Sequence, residues 1–130
     1  MKTRNSLPSR RGISRAKRVE MQFLERVRNR CPAHRLVKEA LGDLYTQTGR
    51  YADSLEVDLS LAREHPDDPH VWYNLGCSFA LVGRKDEAFE ALRRAVGQGY
   101  RDFDWMRKDS NLELLRSDPR FRSLLRQFAS

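Results

Sequence analysis

Three histidines, two cysteines and two closely spaced carboxylates are the residues of this chain whose types could do chemistry. His65 and His70 flank the segment Pro66-Asp67-Asp68-Pro69, where imidazole and carboxylate ligands could meet a divalent metal at the surface. The alternative is a solvated turn between two helices, and the proline and aspartate spacing favours it. His34 stands apart from both. Cys31 and Cys77 form no Cys-x-x-Cys pair and lie far apart in sequence, so they read as reduced thiols. The chain holds no phosphate-binding glycine loop, no His-Glu-x-x-His and no Gly-x-Ser-x-Gly. No catalytic residue, metal or cofactor is therefore assigned, and the chain is not read as an enzyme.

Charge is the next candidate for function. The 130 residues carry a net charge of +7, but it is unevenly placed. Residues 1–30 hold ten Lys and Arg against Glu20 and Glu25, whereas residues 31–130 are close to neutral. Arg10, Arg11, Arg15, Lys17 and Arg18 make a basic arm that could attract nucleic acid or another anionic surface. No aromatic residue precedes Phe23, so no platform for stacking bases accompanies the charge. The same segment also reads as a solubilising tail, and that reading is favoured. Its Arg- and Ser-rich, acid-free composition also suits an organelle transit peptide, while no apolar stretch after it suits a secretory signal. No run of apolar residues is long enough to span a bilayer, and a cytoplasmic location is expected.

The elements that must position these residues follow from a 34-residue repeat. Residues 35–68 and 69–102 superpose so that Val37 meets Val71, Leu41 meets Leu75, Gly42 meets Gly76, Gly49 meets Gly83 and Arg50 meets Arg84. Such a period predicts stacked helical hairpins. Helices are expected over residues 14–30, 34–48, 52–64, 69–82 and 85–96. Gly49 and Gly83 should be left-handed stops, and Asp68-Pro69 an N-cap followed by proline at the first helical position. Pro32 and Pro66 lie one period apart, so the first helix takes the place of the second helix of a preceding hairpin. Val19, Phe23, Leu24 and Val27 are its apolar face. Pro8 and Gly12 make residues 1–13 a flexible basic tail.

Residues 100–130 leave the repeat and are expected to seal the stack. Asp118-Pro119 opens a last helix, and Phe121, Leu124, Leu125 and Phe128 fall on one stripe. The expected organisation is one domain over residues 14–130: a half-repeat helix (14–34), two repeats (35–68 and 69–99) and a helical cap (100–130).

Trp72, Leu75, Gly76, Phe79, Gly83, Ala88, Leu92 and Ala95 resemble the tetratricopeptide repeat in type and spacing. The first unit keeps Leu41, Gly42, Tyr45, Gly49, Tyr51 and Pro66 but departs at Lys38, Ser54, Asp58 and Leu61. The segment Leu115, Arg116, Asp118 to Phe121, Leu124 and Leu125 resembles the closing block of bacterial proteins of that family. The resemblance implies an all-α, short right-handed solenoid of helical hairpins. It also implies a concave groove that takes a peptide or a partner helix. The groove positions it implies are Leu36, Glu39, Ala40, Asp43 and Gln47 from one hairpin, and His70, Tyr73, Asn74, Cys77 and Leu81 from the next. The subset that grips chaperone C-termini needs Lys and Asn where this chain has Glu39 and Asp43, so a terminal carboxylate would be repelled. Two acids four residues apart on one helix suit a basic or polar ligand. A protein-interaction adaptor is the expected function, with the basic arm and a polyanion as the alternative.

Overall fold

A computed structural model describes the backbone of residues 13–128 and the side chains of residues 13–126. The basic tail with Arg10 and Arg11, and the side chain of Phe128, lie outside the described residues. All regular structure among those described is helical: α1 (Arg15–Arg30), α2 (Arg35–Gln47), α3 (Tyr51–Glu64), α4 (Pro69–Leu81), α5 (Lys85–Gly97), α6 (Phe103–Lys108), a 3-10 helix (Ser110–Leu115) and α7 (Pro119–Phe128).

The ends of the helices follow from local chemistry. The Ser14 hydroxyl accepts from the Lys17 N–H at 3.2 Å and starts α1. Asp68 accepts from the His70 N–H at 2.9 Å and starts α4, with Pro69 at the first position, where its missing N–H costs nothing. Gly49 and Gly83 follow the ends of α2 and α4 at φ 79° and 84°, a left-handed turn that a Cβ disfavours. One interaction recurs at the turn into each second helix. Arg50 stacks over the Tyr45 ring at 4.7 Å and pairs with Asp53 at 2.8 Å. One period later, Arg84 stacks over Phe79 at 5.0 Å and pairs with Glu87.

Successive helices pack side by side from α1 to α5, with the 3-10 helix against α4 and α7 against α5. Gly76 permits a close crossing: a Cβ there would sit 2.9 Å from Leu92 of α5. The first unit departs from small apolar residues at its close-packing positions and fills them with a buried polar chain. Thr46 and Ser54 hydroxyls lie 2.9 Å apart, Ser54 and Ser78 lie 3.2 Å apart, and Ser78 donates to Asp58 at 2.5 Å. All four residues are fully buried and mutually bonded, which meets the cost of removing them from water.

The far end is sealed as the sequence suggests. Met106, Leu112, Leu115, Phe121 and Leu124 are buried, and Leu125 is half-buried. The near end differs from expectation. Met21 is the buried apolar residue of α1, Leu24 and Val27 are half-buried, and Val19 and Phe23 stand in solvent. The apolar stripe read from the sequence is thus split. No first helix of that hairpin lies among the described residues to cover its outer part.

Candidate functional site

The ten candidate groove residues lie on α2 and α4, and the two helices present them differently. On α4 the C-terminal cap occupies the face. The Tyr73 hydroxyl donates to Asp109 Oδ2 at 2.8 Å, and the Cys77 sulfur lies 3.7 Å from the same oxygen. Tyr100 stacks flat on Tyr73 with ring centroids 4.3 Å apart and meets the His70 ring edge-on at 5.6 Å. Tyr73 and Cys77 are consequently buried, and as solvent-facing groove residues they are corrected. Burial pushes the Tyr73 phenol far above its usual range, so it stays a neutral donor to the Asp109 carboxylate. His70, Asn74 and Leu81 remain half-buried at the margin of the cap.

The α2 face is open. Leu36, Glu39, Ala40, Asp43 and Gln47 recur at helical spacing along it. Leu36 is 69% exposed, and the other four are half-buried. Glu39 does not offer a bare charge, because its Oε1 accepts from Arg35 Nε at 2.7 Å. Arg35 also pairs with Asp68, the N-cap of α4, and these two partners, Asp68 foremost, raise its pKa. The ion pairs tie the entrance of α2 to the entrance of α4. They also blunt the preference for a basic ligand that two bare acids would have.

Sequence reading missed a second concavity, between α3, α4 and α5. Leu59, Ala62, Phe79 and Ala91 wall it, and Trp72 and Arg94 close it. Trp72 donates its Nε1 proton to the Pro66 carbonyl at 2.7 Å, and Arg94 stacks on its ring at 4.2 Å. One period earlier the same place is a polar cleft around Lys38. Lys38 is buried along its stem and donates to Ser60 at 2.7 Å and to Glu64. The Lys38 ammonium holds the Glu64 carboxyl below its ordinary range. The signal in the sequence was the alignment of Lys38 with Trp72.

Arg15, Lys17 and Arg18 are exposed on the first turn of α1. Among the described residues no three His, Cys, Asp or Glu side chains gather as a metal site requires. No helix among them is long and apolar enough to cross a membrane. Cys31 is exposed and Cys77 buried, and neither forms a disulfide.

Comparison with known proteins agrees with this architecture. The tetratricopeptide repeat family profile matches residues 21–69 and, again, residues 39–102. A relative from Arabidopsis thaliana, whose name marks it as a chloroplastic protein, is 29% identical over 119 residues, covering 88% of this chain and 35% of the relative. The chain therefore spans about a third of that relative's length. No solved structure matches the chain significantly. With paired hairpins at a 34-residue period and a matching profile over most of them, the chain belongs to the tetratricopeptide repeat family.

Proposed function

We propose that this protein is a non-enzymatic interaction module, an adaptor or scaffold that holds a peptide or a partner helix along the face of α2. Repeats of this family generally mediate protein–protein interaction, which supports the class of activity. The observation that carries the finer reading is Leu36. It is a large apolar side chain left 69% exposed at the open end of a face that also carries Glu39, Ala40, Asp43 and Gln47. An exposed apolar anchor beside polar groups is the composition of a contact patch. The α4 half contributes only its margin: His70, Asn74 and Leu81.

The basic arm adds no second reading. Arg10 and Arg11 lie outside the described residues, and neither the family nor the relative speaks for nucleic acid or an anionic surface. A cytoplasmic location belongs to this proposal too. The relative carries a chloroplast name, and cell fractionation decides between the compartments.

The test is affinity capture from the native extract, followed by titration of the purified partner against wild type and Leu36→Ser/Asp43→Ser. The proposal expects the double variant to keep a cooperative melt and to bind about tenfold more weakly or worse. Unchanged affinity would remove α2 as the site.

A further inference from the structure

The outer face of α1 is open at positions that the rest of the stack keeps closed. Phe23 is 56% exposed, whereas its repeat equivalents Val57 and Ala91 are 4% and 3% exposed. Val27 is half-buried, whereas its equivalents Leu61 and Ala95 are buried. In α3 and α5 the covering element is the first helix of the same hairpin: Lys38 of α2 lines the cleft with Val57, and Trp72 of α4 lines the cleft with Ala91. Val19 extends the open face, also 56% exposed. It stands where the second helices of the other hairpins carry Asp53 and Glu87, acids that pair with Arg50 and Arg84. An apolar side chain replaces a solvated ion pair there, and Ala16 replaces the arginine. At helical spacing Ala16, Val19, Phe23 and Val27 form one stripe.

The charges beside that stripe say what would cover it. In α3 the polar edge of the covered face is Ser60 and Glu64, and Lys38 of the covering helix binds both. The equivalents in α1 are Arg26 and Arg30, which line a shallow depression with Phe23 and Val27. The polarity of the hairpin's ion pair is therefore reversed. In α5 the equivalent of Arg26 is Arg94, which an aromatic ring, Trp72, covers. A carboxylate where α2 has Lys38 would instead pair with Arg26 and Arg30 as Lys38 pairs with Ser60 and Glu64. Arg15 adds to the same side of the stripe, and Glu20 flanks the other. A second copy of α1 would bring like charges together.

We propose that the open face of α1 is a docking surface for an acidic amphipathic helix of another protein, which completes the hairpin as α2 completes that of α3. It lies on α1, the helix packed against α2 at the end of the stack.

The probe is a fluorescent amphipathic peptide of about 18 residues, long enough for a marginal helix to form on contact, with leucines on one face and glutamates flanking them. It is titrated against the full-length protein at about 0.15 M salt, where long-range attraction is screened. A second peptide has every glutamate replaced by lysine. The proposal expects the glutamate peptide to bind and gain helicity, and Phe23→Ser to weaken it about tenfold or more. It expects Arg26→Glu/Arg30→Glu to lose that peptide and to gain the lysine peptide. It is overturned if no peptide binds, or if Phe23→Ser leaves binding unchanged, which would make the attraction purely ionic. Binding of phosphatidylglycerol vesicles in place of the peptide, lost in Phe23→Ser, would make the face a membrane contact and overturn it. So would a dimer that Phe23→Ser dissolves, or a large fall in the melting temperature of Phe23→Ser alone, which would show that residues 1–12 already cover the face.

Discussion

Tyr73 donates its hydroxyl proton to Asp109 at 2.8 Å, and both residues are shut off from solvent. Through this bond the last repeat and its C-terminal cap share one interior. A tyrosine in a position the family gives to ligand contact is used here to hold the chain's own carboxylate. Tyr73→Phe should lower the unfolding free energy by about 1–3 kcal/mol, because the buried carboxylate loses a donor. Chemical denaturation of the variant checks this. A change within error would mean that the cap is held without this bond.

Gly76→Ala should destabilise the protein although alanine is the better helix former. The added Cβ would lie 2.9 Å from Leu92 and 3.3 Å from the Ala88 carbonyl. Overpacking of this kind costs about 1–3 kcal/mol, against a gain of about 1 kcal/mol from helix propensity. Shortening the clashing side chain should relieve it, so Gly76→Ala/Leu92→Val should be more stable than the sum of its single changes. Thermal melts of the four proteins give the coupling directly.

The repeat made most of this fold legible, because identical punctuation at Gly49 and Gly83 and at Pro32 and Pro66 fixes where helices end whatever covers them. The burial of particular faces was not legible. Val19 and Phe23 read as one apolar face with Leu24 and Val27, but helical spacing records only that apolar residues share a face, not whether a neighbour covers it, and both stand exposed. Tyr73 and Cys77 read as groove because the repeat pattern says nothing of a cap folded onto α4. Lys38, Ser54 and Asp58 read as departures from the pattern. The structure explains them as members of polar networks that replace apolar contacts at the same positions.

The two thiols should react on different time scales. Cys31 is exposed beyond the end of α1, and Cys77 is buried beneath the cap. An aromatic disulfide reagent should modify one thiol per chain promptly and the second only as the protein unfolds. Cys31→Ser should abolish the prompt phase. Two prompt thiols in the native protein would contradict the cap's placement.

Acid should loosen the stack between about pH 4 and pH 2, the range between the ordinary carboxyl values and the depressed ones. The Lys38 ammonium lowers Glu64. Burial raises Asp68, but its hydrogen bonds from Arg35 and the His70 N–H outweigh that and leave it lowered. Arg120 holds Asp118 down at about 2. Groups depressed on folding stabilise the native state above their unfolded pKa, and that contribution is lost as pH falls through the folded value. The melting temperature should be flat from neutrality to about pH 5 and then fall. Lys38→Met should remove the Glu64 share of that fall.

The most direct test of the interaction reading is a hydrogen-exchange footprint of the full-length protein with the partner captured from its native extract. Our account predicts added protection over α2, residues 35–47, with the cap over residues 103–126 unchanged. Protection confined to the cleft around Trp72 and Arg94, with α2 exchanging as in the free protein, would contradict it.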